Sequence, residues 1–342
     1  MGRVRHRGAL TVAAAAIALC AALIISACGS NHHTTSGSTG SVPAVQNASL
    51  VLDFTPNAIH AGIYVALADG YLKRNGIHLH VQIPGDSTDA ISELVDHRVD
   101  FASLDIHDLA IADEQGKHLV GVMAIVERPL AAVIAAPAFA TPKSLDGNTV
   151  GVTGDPSDLA VLRSIVNGAG GKFASLKTLT IGYDAVQDLI ANRVSAATSF
   201  WNDEGVELND EKPGYHIFRV EDYGAPAYPE LVLTTTQSEL TAHPQLVREV
   251  VSALVRGYET VIKDPAAGAK ALESQVTGLV PAQVSQQLEG EIPAFTPQGG
   301  GEPGALEPAL LNRWAAWELK FGIVKRLPDV ATMFSQAYLP SK

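Results

Sequence analysis

Cysteine is almost absent from this chain of 342 residues: there are two, Cys20 and Cys28, and none beyond position 28. The body therefore holds no disulfide framework and no thiolate metal site. Positive charge is scarce as well. Lys and Arg number 24 against 36 Asp and Glu, a formal net charge of −12. That balance argues against a nucleic-acid binder, which needs a basic face to neutralise phosphates. The sequence has no G-x-S-x-G elbow, no P-loop and no H-E-x-x-H, so nothing in it points to an activated nucleophile or a zincin-type site. Gly168, Gly170 and Gly171 follow a helical stretch instead of opening one, and Gly299 to Gly301 lie between Pro297 and Pro303. Neither cluster is placed as a phosphate cradle. With 46% hydrophobic residues, the chain has enough apolar surface for a core of one large or two medium domains.

What is present begins with a leader. Arg3, Arg5 and Arg7 precede an apolar stretch over 9–25, the pattern of an export signal. At roughly 17 residues the stretch is short for a membrane-spanning helix. Ile25-Ser26-Ala27-Cys28 resembles the bacterial lipobox, which implies cleavage before Cys28 and acylation of that cysteine. Residues 1–27 are then a signal peptide, and the formal charge moves from −12 to −15 as three Arg leave with it. Residues 28–48, rich in Gly, Ser, Thr and Asn, cannot form a core and read as a flexible tether. His32 and His33 within it read as a polar spacer or a weak metal pair.

From Leu50 the pattern changes to short apolar strands alternating with helical stretches. Leu50 to Leu52 is a strand and Ile59 to Lys73 a helix. Ile77, Leu79, Val81 and Ile83 alternate with polar residues, which predicts a half-buried strand with His78 and His80 on its wet face. Strands follow at 99–104, 119–126, 149–153, 179–181, 196–200, 217–220 and 231–235, with an extended apolar run at 130–136. The remainder reads as helical near 244–262, 266–275, 281–290 and 306–320. Strands separated by single helices predict an α/β chain with parallel sheets. Two such series predict two lobes: lobe one from 49–135 and 236–342, including the helical C-terminal segment, and lobe two from 136–235. A cleft beyond the carboxyl ends of the strands is the expected ligand site.

Four segments carry a resemblance. They are Asp53-Phe54-Thr55-Pro56-Asn57-Ala58-Ile59-His60-Ala61-Gly62-Ile63-Tyr64-Val65-Ala66, the stretch 124–130, the stretch Phe200 to Leu208 with Trp201-Asn202-Asp203-Glu204-Gly205, and the stretch 222–232. Together they resemble the substrate-binding lipoproteins of bacterial ABC importers in the thiamine-pyrimidine-precursor family. The resemblance implies a type II periplasmic-binding-protein fold, a small heterocyclic ligand, ABC permease and ATPase partners, attachment to the outer face of the cell membrane through lipid at Cys28, and no cofactor. Related branches bind riboflavin, sulfonates or nitrate. An enzymatic branch makes the pyrimidine and carries a Cys-rich motif, which this chain lacks.

The candidate ligand residues are Phe54, Asn57, His60, Tyr64, Asp105, Trp201, Asn202, Glu204 and Tyr223. Phe54, where the family usually has Trp, is a stacking platform or a lobe plug. Asn57 and His60 either face the ligand or cap and orient the loop. Tyr64 lies one turn beyond His60 and divides between core and cleft. Asp105 ends a strand, as a ligand contact or a helix cap. Trp201 and Asn202 follow another strand end. Glu204 can accept from an exocyclic amine and a protonated ring nitrogen. Tyr223 is placed to close over a ligand. The loop 154–158 opens a helix, where its backbone N–H groups either take an anionic or acceptor group or are satisfied by its own acids, Asp155 and Asp158, as caps. A metal reading through His60, His107 and His118 is the competing chemistry.

Overall fold

Apolar strands alternating with amphipathic helices build two five-stranded sheets in a computed structural model that describes residues 45–85, 89–297 and 300–341. The expected leader and most of the tether, with Cys28, His32 and His33, lie outside the described residues. The first sheet runs β2 (Ile77–Gln82), β1 (Gln46–Val51), β3 (Phe101–Asp105), β10 (Leu231–Thr236), β4 (Leu119–Val126). The second runs β7 (Lys177–Thr180), β6 (Thr149–Val152), β8 (Ala196–Phe200), β5 (Ala131–Ala135), β9 (His216–Arg219). β1 starts earlier than its apolar residues suggest, because Gln46, Asn47 and Ala48 pair in register with Ile77, His78 and Leu79. Along β2, Ile77 and Leu79 are buried and His78 and His80 exposed, as a period of two requires.

The lobe limits differ from the sequence reading. β5 pairs with β8 and β9, so it belongs to lobe two. β10 pairs with β3 and β4, so it belongs to lobe one. The crossings are therefore residues 127–130 and the segment that follows β9 up to Glu230. Neither sheet is purely parallel. β1, β2 and β3 are parallel, as are β6, β7 and β8, whereas β10 and β5 run antiparallel to their neighbours. The reason is local. A strand that arrives straight from the other lobe, without a crossover helix, enters from the opposite end. Consequently Ala131 faces Phe200 and Leu231 faces Asp105: the first residues of the crossing strands lie beside the last residues of the parallel ones.

The C-terminal helices divide between two cores. Helix Pro244–Lys263 buries Leu246, Val247, Val250, Val251, Leu254, Tyr258 and Val261 at helical spacing. With Pro265–Glu273 and Pro281–Glu291 it joins the core around β1 and helix Ala61–Ala68 of lobe one. Helix Pro308–Phe321 departs from the expected packing on lobe one alone. Its Leu311, Trp314 and Trp317 join a core containing Leu104 and Leu109 from lobe one and Val150 and Leu162 from lobe two. No described helix is long and apolar enough to cross a membrane.

The expected helix over 59–73 is interrupted. Gly70 adopts φ of 67° and separates Ala61–Ala68 from Tyr71–Arg74. Helix Ala61–Ala68 meets Pro244–Lys263 at two glycines. A β-carbon on Gly257 would stand 1.9 Å from the carbonyl oxygen of Gly62, and one on Gly62 would stand 2.5 Å from the Tyr258 ring. The Tyr258 hydroxyl donates to the Ile59 carbonyl at 2.8 Å, which ties the preceding loop to the same helix. Gly257→Ala is expected to destabilise the protein by about 2 kcal/mol or more, because backbone must move to admit the methyl group. Equilibrium urea unfolding measures it, and an unchanged midpoint would show that the helices separate at no cost.

Candidate functional site

The carboxyl ends of the parallel strands from both lobes converge on one cleft. Its walls come from Asp53 and Phe54 after β1, Asp105 at the end of β3, Asp155 and Asp158 after β6, Tyr183 after β7, and Ser199 and Glu204 around the end of β8. The first residues of β5 and β10 complete it, as their antiparallel entry demands. It encloses about 90 Å³, several times the ~10–15 Å³ that one water requires. Phe54, Tyr183 and Glu204 also line an outer vestibule, so they form the neck between cleft and solvent. There the Phe54 and Tyr183 rings meet edge to face, with centroids 4.3 Å apart, one from each lobe.

The loop after β1 is pinned by its own side chains. Asn57 Oδ1 accepts from the Ile59 N–H at 3.1 Å, and His60 Nδ1 accepts from the Asn57 N–H at 3.1 Å, a reciprocal cap. Nδ1 is thereby occupied, and Nε2 faces Asp53 Oδ1 at 3.1 Å. The same Asp53 oxygen accepts from Ser103 Oγ at 2.6 Å. His60 is fully buried and acts by orienting Asp53. Asn57 stands at the vestibule rim, where its Nδ2 donates 2.9 Å across to Asp203 Oδ2 of lobe two.

Asp105 caps helix Ile106–Glu114 by accepting from the His107 N–H at 2.7 Å, and also lines the cleft. Behind it His107 is fully buried, with Nδ1 on the Glu318 carboxyl and Nε2 3.0 Å from the Tyr228 hydroxyl. Burial pulls the His107 pKa down, but Glu318 and Asp105 outweigh it and push it up to about 10. Ligand atoms of Asp105, His107 and Glu230 lie within 4.8 Å of one another. Both His107 ring nitrogens are already taken by Glu318 and Tyr228, Asp105 accepts from a backbone N–H, and Glu230 accepts from the Leu130 and Ala131 amides, so the three are spent on other partners. His118 is exposed beside Asp113 and His60 is spent on Asp53, so the metal reading gathers no common centre.

Burial also raises the cleft acids. It pushes Asp105 up to about 8, with Glu230 adding to it and His107 opposing. It pushes Asp155 up to about 9, with Asp108 and Asp158 contributing. Glu204 rises to about 8 through burial and the neighbouring Asp203. As expected, the acids of this loop satisfy donors: Asp158 Oδ2 accepts from the Gly154 N–H at 2.9 Å. Asp108 Oδ1 accepts from the Ser157 N–H at 3.0 Å, a bond from one lobe to the other.

The structure separates the nine candidates. Phe54, Asp105 and Glu204 line the cleft, Asn57 lines only its vestibule, and His60 stands one bond behind Asp53. Four are corrections. Tyr64 is packed in the core of lobe one, on the inner face of its helix. Trp201 donates to the Pro129 carbonyl at 3.1 Å and lies under Arg219 at 3.9 Å, so it braces a crossing segment. Asn202 donates to Glu291 at 2.6 Å within the protein. Tyr223 packs against Phe218 and the Gly168 backbone. The sequence reading missed Asp53, Asp108, Tyr183 and Ser199 as cleft residues. Asp53 and Tyr183 follow strand ends, the signal that nominated Asp105; the others are recognisable only once the lobes face each other.

The raised groups set a pH dependence. Asp105, Asp155 and Glu204 bind a proton more tightly folded than unfolded, where their values are 3.8, 3.8 and 4.5, and His107 does the same above 6.5. The stability they contribute is complete below the unfolded values and is lost as pH rises through about 8 to 10. Thermal unfolding is expected to show Tm falling by about 5 °C or more between pH 5 and pH 8, with a shallower slope in Asp155→Asn. A Tm that rises with pH over this range would contradict the assignment.

The chain is similar to known proteins in sequence and in fold. The family described as NMT1/THI5 like matches residues 57–268. The formylaminopyrimidine-binding protein of Halalkalibacterium halodurans is 28% identical over 225 residues, 65% of this chain and 68% of that protein. The riboflavin-binding protein RibY of Chloroflexus aurantiacus is 24% identical over 256 residues, 71% of this chain and 72% of that protein. The alkanesulfonate-binding protein SsuA from Xanthomonas axonopodis pv. citri, bound to MOPS, superimposes with a TM-score of 0.69 at 17% identity, over 85% of this chain and 99% of that one. The fold is therefore the two-lobed, type II periplasmic-binding-protein fold. With the family match spanning more than half of its length, the chain belongs to the NMT1/THI5-like family.

Proposed function

We propose that this protein is the extracytoplasmic ligand-binding component of an ABC importer, and that its cleft takes a thiamine-related aminopyrimidine of the formylaminopyrimidine or hydroxymethylpyrimidine type. The observation that carries this reading is the neck of the cleft, where the Phe54–Tyr183 aromatic pair stands beside acceptor groups on both lobes. A flat ring gains from aromatic contact, and its amino group and ring nitrogens need acceptors and donors at their edge. The similarity to a formylaminopyrimidine-binding protein supports the same ligand class. No chemical step is proposed.

Binding works by closure. Asn57 to Asp203, Asp108 to the Ser157 N–H, and the Tyr183 hydroxyl to the Asp53 carbonyl at 3.3 Å all join one lobe to the other. A ligand touching both walls adds to these contacts only when the lobes are together and so shifts the population toward the closed form. The permease reads that form, and the ATPase subunits drive uptake. Acyl chains on Cys28 hold the protein at the membrane, each buried methylene adding about 0.8 kcal/mol.

Calorimetry with formylaminopyrimidine and hydroxymethylpyrimidine is expected to show stoichiometric binding. Phe54→Ala and Glu204→Gln should each weaken it by roughly 1–3 kcal/mol, through lost stacking and a lost charge-assisted bond. Saturable binding of riboflavin, an alkanesulfonate or nitrate, with none of either pyrimidine, would replace this ligand assignment. Mass spectrometry of the membrane-extracted protein should find Cys28 as an acylated N-terminus, and an unmodified Cys28 or a retained leader would refute the lipid anchor.

A further inference from the structure

The charge of the cleft is one-sided. Asp53, Asp105, Asp108, Asp155, Asp158 and Glu204 line it, and among the described residues no Lys, Arg or His side chain does. Two neighbouring histidines are already committed: His107 lies behind Asp105 on Glu318, and His60 holds Asp53. The remaining neighbours, Glu230 behind Asp105 and Asp203 and Glu207 beside Glu204, are acids as well. An anionic ligand such as a sulfonate would enter against all of them, with no counter-charge to meet it.

Two of these acids converge on one hydroxyl group. The Thr153 hydroxyl lies 2.7 Å from Asp158 Oδ2 and 3.0 Å from Asp155 Oδ2. A hydroxyl has one hydrogen, so the two carboxyl groups either split it in a three-centre bond or one of them carries a proton and donates back. Thr153 Oγ also accepts from the Asp155 N–H at 3.2 Å, which is compatible with its two lone pairs. A second observation points to an occupant: the Ser199 hydroxyl lines the cleft and is 93% buried without a hydrogen-bond partner.

We propose that the cleft selects a positively charged flat ligand and exchanges it against protons held on its own carboxyl groups. This rests on the pyrimidine reading for the ring and goes beyond it for the charge. The ligand enters as a cation, a carboxyl group loses its proton to solvent, and the resulting carboxylate pairs with the ligand. Among pyrimidines, one bearing a free aminomethyl group, an ammonium at neutral pH, is preferred to its neutral N-formyl derivative. The raised proton affinity of Asp105, Asp155 and Glu204 makes this exchange pH-dependent, so affinity for the cation rises as pH increases from 6 to 8.

The test is calorimetry on the intact protein with shape-matched probes: benzamidine, benzamide and benzenesulfonate, and the aminomethyl and formylaminomethyl pyrimidines. The cation of each set is expected to bind at least about 10-fold tighter than its neutral partner at pH 7.5, and benzenesulfonate not at all. Repeating the cation titrations in buffers of different ionisation enthalpy should reveal net proton release. Asp155→Asn should reduce both the released protons and the cation preference. A neutral probe binding as tightly as its cation, heats that do not depend on the buffer, or no binding by any cation would each overturn the proposal. Tighter binding of the formyl compound would overturn the charge selection and leave the pyrimidine reading standing. Binding of benzamidine but of neither pyrimidine would do the reverse.

Discussion

Everything at the cleft depends on how the two crossings are held together. Glu230, fully buried at the end of the second crossing, accepts hydrogen bonds from the backbone N–H groups of Leu130 and Ala131 in the first. Its own carbonyl accepts from the Ile106 N–H at 2.9 Å, which brings the start of the helix after β3 into the same joint. Burial favours the protonated acid here, while His107 and the two amide donors favour the charged form. A single carboxyl thus places the first residues of β5 and β10 beside the last residues of β8 and β3. The cleft walls face each other because of that placement.

Around this joint the W-N-D-E stretch after β8 divides its work residue by residue. Trp201 braces the first crossing through Pro129, Asn202 reaches Glu291, Asp203 reaches Asn57, and only Glu204 lines the cleft. Four adjacent side chains therefore serve four different neighbours, three of them structural. A motif that marks a family need not be a ligand motif along its whole length. Here most of it secures the relation between the lobes on which binding depends.

The strand and helix sequence was legible because periodicity reports burial directly. The alternation of Ile77 to Val81 and the helical spacing of Leu246 to Val261 each correspond to an observed element. The direction of β5 and β10 was not legible. An apolar run looks the same whichever way the strand enters a sheet, so 131–135 and 231–235 fell in the wrong lobes. Within the site, residues ending parallel strands were recoverable by position, as Asp105 was. Tyr64 was not separable from the cleft, because one turn of a buried helix presents the same residue types to core and ligand. Asp108 and Ser199 were unrecognisable for a different reason: their role arises from long-range placement of the opposite lobe.

The Glu230 clamp has a consequence for how this fold records its own constraints. Its partners are main-chain amides, which every residue except proline supplies. Substitution at position 130 or 131 leaves the donors in place, so no compensating change at the partner positions is ever selected. Across a set of homologues the most important contact of the hinge would leave no correlated pair, only a solitary acid beside two freely varying apolar positions. Contact maps inferred from co-variation would then show the two lobes joined by their peripheral side-chain pairs, such as Asn57 with Asp203, and would leave the pivot itself blank.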